Sequence, residues 1–121
     1  RDSVVTGLAT GAVIGMVTYI IAKHQATERQ RQIAEARARA SYARMSSERK
    51  KSMRAKKVRY IAVDTVKDEK TAPNAKKSVM IWDTQSQEVV GNNVYDVQST
   101  PRVGTTAKFD TYSAEYVGSG T

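Results

Sequence analysis

The sequence predicts an α+β chain: a long N-terminal helix, apolar at first and then continuing as a basic helical rod, followed by a small antiparallel β domain. Three observations predict it. Residues 3–22 carry no charge. Neither glycine nor proline occurs between positions 16 and 72. Beyond Val58 the apolar period shortens towards two, and β-branched and aromatic residues take over. The expected divisions are 1–22 for the apolar helix, 23–57 for the basic stalk and 58–121 for the β domain.

In the apolar segment Ser3, Gly7, Gly11 and Gly15 recur at every fourth position. Such residues share one helix face, and a flat face admits a second backbone where lipid removes the usual hydrophobic drive. Twenty residues at about 1.5 Å each span about 30 Å, the thickness of a bilayer's hydrocarbon core. The expectation is a membrane-embedded helix with Ser3, Gly7, Gly11 and Gly15 as helix contacts. A helix buried in a protein assembly and an uncleaved export signal are the alternatives. Only Arg1 and Asp2 precede the run, which gives an export signal no basic start.

The stalk is rich in Ala, Arg, Lys, Glu and Gln, all good helix formers. Ala26, Ile33, Ala36, Ala40 and Ala43 fall at spacings of 7, 3, 4 and 3, a short heptad-like seam. Ile33, Ala36, Ala40 and Ala43 are therefore the candidate seam residues. An unbroken rod of about 50 residues, about 75 Å long, is expected.

The net charge of +8 is unevenly spread. Residues 23–59 hold 13 Lys/Arg against Glu28, Glu35 and Glu48, whereas residues 60–121 hold 6 basic and 8 acidic side chains. Arg49, Lys50, Lys51, Arg54, Lys56 and Lys57 form the densest run and are the candidate contacts for an anionic partner. A lipid surface, nucleic-acid phosphates and a merely solvated helix face are the competing readings. The absence of interleaved aromatics disfavours nucleic acid.

In the β region, strands are expected at 58–66, 78–83, 88–90, 94–97, 105–110 and 112–117. The polar stretch 67–77, with Pro73 and Asn74, reads as a mobile loop, and Gly91 with its two asparagines as a turn or bulge. Tyr60, Ala62, Met80, Trp82, Val90, Val94, Val97, Val103, Phe109 and Tyr116 are the expected core. Trp82 and Tyr95 are the candidate interface residues of the β domain.

The chemical inventory is thin. With no cysteine there are no disulfides, thiolate ligands or Cys nucleophiles. His24 is the sole histidine, which argues against a His-based metal site or a Ser-His-Asp arrangement. The five aspartates of the β region read as turn and edge residues. No catalytic residue, cofactor or metal is expected.

The small-residue run at 6–15 resembles the glycine-zipper segments of bacterial envelope proteins and lipoproteins, a likeness confined to the N-terminal segment. The resemblance implies an envelope location, on the extracytoplasmic side, and self-association into a homo-oligomer or larger assembly, whereas the positive-inside rule places Lys23 to Arg59 in the cytoplasm. It supplies no catalytic residues, and a lipid anchor at a cysteine would have to precede Arg1. The expected function is a structural, membrane-anchored, self-associating component of a cell-envelope assembly. One alternative is a module that binds nucleic acid or an acidic glycan through the basic helix. Another is a filament or virion subunit with the apolar helix buried in protein.

Overall fold

The computed structural model describes residues 10–14, 19–56, 58–99, 106–110 and 115–119. In chain order the described elements are β1 (Thr10–Ile14), β2 (Tyr19–Gln25), α1 (Glu28–Arg44), α2 (Ser47–Ala55), β3 (Val58–Thr65), β4 (Lys77–Asp83), β5 (Glu88–Val89), β6 (Asn93–Ser99), β7 (Thr106–Asp110) and β8 (Glu115–Ser119). The strands form one sheet in the order β2-β6-β4-β3-β1-β7-β8, with β5 pairing β4 beside that path. Strand β1 runs parallel to β3, and the other pairings among the described strands are antiparallel.

The long N-terminal helix is corrected by these strands. Residues 10–14 and 19–25, expected as helix, are β1 and β2, and Gly11 pairs with Phe109 across the sheet. Ser3, Gly7 and Gly15 lie outside the described residues. The physical reason is in the same residues: Thr10, Val13, Ile14, Ile20 and Ile21 are β-branched, and such side chains lose rotamer freedom in a helix but pack well on a pleated surface.

The unbroken rod is corrected as well. β2 occupies the first part of the stalk as far as Gln25, and the remainder is two helices. Met45 leaves the helical region with ψ 138°, and Ser46 follows with ψ 157°. The Ser46 hydroxyl then accepts the Arg49 N–H at 3.1 Å, starting α2 with a cap worth about 1 kcal/mol. Helix α1 opens on a capping box in which the Thr27 hydroxyl accepts from Gln30 N at 3.1 Å and the Gln30 Oε1 accepts from Thr27 N at 3.0 Å.

The helices cover one face of the sheet. Ala34, Ala38 and Met53 pack there against Val58, Ile61, Val63, Met80, Trp82 and Val94. The second cluster joins Tyr60, Val79, Ile81, Tyr95 and Val97. Strict alternation along β3 would put Val58 with Tyr60. A register shift against β1 between Ala12↔Val58 and Val13↔Tyr60 leaves Arg59 unmatched and turns Val58 to the helix side.

Strands β4 and β5 are joined by a tight turn at 84–87 in which Gln87 takes φ 61°. The strand then kinks at Gly91, φ 69°, before continuing as β6. The stretch expected as a mobile loop is tied down instead: Lys67 Nζ donates to Ala75 O at 2.8 Å, Lys70 N to Asp68 Oδ1 at 2.9 Å and Ala72 N to Asp96 Oδ2 at 3.0 Å.

Candidate polyanion-binding face

Helix α1 buries a stripe made of Gln30, Ala34 and Ala38, spaced four apart and extended by the partly buried Tyr42 and Met45. Alanine on this stripe lets the helix axis lie close to the sheet, and everything else on α1 is left to solvent or to the rims. Arg29, Arg37, Arg39 and Arg44 are exposed, as are Arg49, Lys51, Arg54 and Lys56 on and just after α2. None of these eight cations is in an ion pair among the described residues. Of the three acids on the helices, Glu28 holds Arg31 at 3.4 Å and Glu35 accepts the Val89 N–H at 3.3 Å. Glu48 sits in the first turn of α2, where the helix dipole favours it.

The two helices are locked together by one aromatic side chain. Lys50 Nζ lies 4.5 Å over the Tyr42 ring, and that ring meets Trp82 at a centroid distance of 5.8 Å and an interplanar angle of 57°. Lys50 is thereby drawn into packing while its neighbours Arg49 and Lys51 remain exposed. Tyr42 is the only aromatic on either helix, and both contacts turn it inward.

Beneath this face a polar row crosses the sheet. Asp96 is completely buried; its Oδ2 lies 3.1 Å from His24 Nε2, and its Oδ1 accepts from Ser78 Oγ at 2.9 Å. Thr65 pairs with Ser78 across β3 and β4, and its hydroxyl donates to Gln30 O at 2.7 Å. Gln30 Nε2 in turn donates to Val66 O at 2.9 Å. The carboxylate is the hub of this row, since the Ser78 hydroxyl donates to Asp96. That arrangement holds strands together, and at 1% exposure the Ser78 hydroxyl is enclosed with it. A second anchor is the two-pronged ion pair of Arg59 with Asp83, at 2.9 and 2.8 Å. Burial opposes charge on Asp83, but the Arg59 hydrogen bonds, the Gln85 N–H and the Arg59 charge outweigh it and hold the carboxyl below its ordinary range. The same hydrogen bonds raise Arg59. Among the described residues no group of three or more His, Asp or Glu side chains could hold a metal ion. None of their helices is long and apolar enough to cross a membrane, which says nothing of strands.

The sequence-derived residues fall in different places. Of the expected seam, Ala36, Ala40 and Ala43 are exposed and Ile33 is half-buried, so the packed stripe of α1 lies on the opposite side. Arg49, Lys51, Arg54 and Lys56 share the exposed helical layer, Lys50 is half-buried on Tyr42, and Lys57 lies outside the described residues. Trp82 and Tyr95 are core residues, at 0% and 3% exposure. The indole Nε1 of Trp82 is buried with no hydrogen-bond partner. The arginines of α1 are contributors outside the sequence-derived run; the sequence signal for them is five arginines on a helix holding only two acids. No protein-family model, curated protein or solved structure matches the chain.

Proposed function

We propose that the protein is a non-enzymatic binding module whose helical layer docks onto a polyanion, with the sheet as the rigid support. The observation that carries the reading is the set of eight exposed Arg and Lys side chains on α1, α2 and the Lys56 cap, unpaired among the described residues, on helices fixed to the sheet by Gln30, Ala34, Ala38 and Met53. Like charges gathered on two adjoining helices repel one another, and a polyanion relieves that repulsion while releasing its own counterions. The sheet contributes geometry: it keeps two short helices in fixed relation, so the charges present as one surface.

Heparin chromatography of the intact chain tests the reading. Retention at low salt that falls away steeply with added salt is the expected result. Passage through the column at low ionic strength would remove the reading. A structural place in a cell-envelope assembly is a second proposal, supported by the uncharged run of residues 3–22. It predicts that the native chain sediments with membranes and resists carbonate; a freely soluble chain would sink it.

A further inference from the structure

We infer that the polyanion is a nucleic-acid duplex, gripped through its phosphates without base readout; this rests on the polyanion-binding reading above. Three features of the helical layer select among polyanions. No large apolar side chain is exposed on α1 or α2, where the non-charged exposed positions are Gln, Ala and Ser. Helices that settle into a lipid interface carry Trp, Phe or Leu on the buried face, so a bilayer has nothing here to take up. Single strands are held by aromatic platforms on which unstacked bases lie. The one aromatic of the layer, Tyr42, is already engaged by Trp82 and Lys50 and offers no free face of that kind.

The third feature is the layout of charge. Arg37 and Arg44, seven residues apart, share one flank of α1. Arg39 lies on the other flank, three residues before Tyr42 and so beside it. Because Lys50 sits on Tyr42, α2 joins α1 on this second flank and extends it with Arg49, Lys51 and Arg54. Between the flanks the outward surface of α1 carries Arg29 and Gln32 in its first turns and is low beyond them, where Ala36, Ala40 and Ala43 form it. A helix is about 10–12 Å across, and the major groove of B-form DNA is about 12 Å wide with phosphates along both rims. An α1 lying along the groove would put Arg37 and Arg44 at one rim and Arg39 with the α2 cations at the other. Arginine suits this contact, since its planar fork meets two phosphate oxygens at once. The duplex itself supplies one negative charge per about 1.7 Å of axis, enough to engage both flanks together. Alanine reaches no base-edge donor or acceptor, so along positions 36–43 the grip carries no sequence preference.

Fluorescence anisotropy on the intact chain tests this with four probes: two mixed-sequence DNA duplexes of about 20 base pairs, one of their single strands, and phosphatidylglycerol vesicles. Both duplexes should bind alike, and at least about tenfold more tightly than the single strand or the vesicles at equal phosphate. The variant R37Q/R39Q/R44Q, whose sites are solvent-exposed, should melt like the parent. It should weaken duplex binding about tenfold or more and make the salt slope shallower by about 2.7, three contacts at about 0.9 each. Equal or tighter binding to single strand or vesicles, a strong preference between the two duplexes, or no effect of the triple substitution would overturn the duplex inference. If heparin retains the chain while the duplexes do not bind, this inference fails and the polyanion reading stands. If neither heparin nor any of the four probes binds, both fail.

Discussion

His24 on β2 and Asp96 on β6 are 72 positions apart in sequence and meet at 3.1 Å on the helix-covered side of the sheet. The contact does more than join two strands. Asp96 also takes the Ser78 hydroxyl from β4 and the Ala72 N–H from the loop between β3 and β4, so one buried carboxylate on β6 gathers three other parts of the chain. Replacing it by alanine strands three donors in a site closed to water, and each stranded group costs about 1–3 kcal/mol. Some of that cost relaxes, because His24 and the Ala72 segment lie near the surface. Asp96→Ala is therefore expected to lower unfolding free energy by about 3 kcal/mol, against about 1 kcal/mol for His24→Ala. Urea unfolding followed by tryptophan fluorescence separates the two, since Trp82 is fully buried in the folded chain. Equal effects would mean that Asp96 works only through His24.

What the sequence made legible follows from which forces act locally. The strands at Val58–Thr65 and Lys77–Asp83 were readable because β-branched and aromatic residues crowd there between polar turns. The kink at Gly91, where a turn or bulge is expected, is readable from the glycine itself. In the N-terminal segment glycine spacing points to a helix and β-branched content to strands, and at 10–14 and 19–25 the strand preference wins. On α1 the packed side was not legible at all: alanine occupies positions 34, 36, 38, 40 and 43, so composition cannot choose a face. The deciding residue is Gln30, a polar side chain at 0% exposure whose amide serves both Thr27 and Val66. Hydropathy assigns glutamine to the surface, and only the strand end that receives it, made near in space by the fold, explains its burial. The basic face was legible as composition but not as a surface, because its members on α1 depend on which alanines turn inward.

The Arg59–Asp83 pair makes stability depend on acid. The Asp83 carboxyl is held below its ordinary value in the folded chain, so the pair's contribution is complete above the unfolded carboxylate range, near about 4, and is lost as pH falls through the folded value. Arg59 stays charged throughout that window. In Arg59→Gln the counter-charge is gone, burial dominates, and protonation of Asp83 then favours folding. The variant should be less stable than the parent by about 1 kcal/mol at pH 6, a modest figure because the Arg59 side chain is half-exposed. The gap should close towards pH 3. Paired denaturant curves at the two pH values check this; a gap that widens in acid would reverse the assigned sign.

Gln87 is the one described non-glycine residue with positive φ, at 61°. A Cβ in that region meets the neighbouring carbonyl and costs about 1 kcal/mol, which glycine avoids. The turn's other contacts come from the backbone and from Asp83, with Gln87 N donating to Asp83 O at 2.8 Å and Gln85 N to Asp83 Oδ1 at 2.8 Å. Gln87→Gly keeps both. Glycine also frees the unfolded chain, which offsets part of the gain. A net increase of about 0.5 kcal/mol is expected, visible as a melting temperature a few degrees higher for a chain of this size. A lower melting temperature would mean that the exposed Gln87 side chain makes a stabilising contact of its own.

The two faces of α1 predict opposite responses to the same substitution. Ala38 has 0% exposure and packs with Ala34 against the apolar face of β3 and β4. Leucine there adds three carbons where the helix already lies close to the sheet, and overpacking of this kind costs about 1–3 kcal/mol. Ala40, two positions on, is exposed, and leucine is nearly as good a helix former as alanine. Ala40→Leu should therefore change stability by no more than about 0.5 kcal/mol. The functional outcomes should invert. Ala40 stands on the outward ridge between Arg37, Arg44 and Arg39, so a larger side chain there holds a docked polyanion away from the helix and weakens binding in a chain that is fully folded. Ala38→Leu leaves every exposed cation in place, so whatever fraction remains folded should bind with parental affinity. Thermal melts and heparin elution of the two variants decide the matter. If Ala40→Leu destabilises the chain while Ala38→Leu is silent, the packed side of α1 is the one that carries Ala36, Ala40 and Ala43.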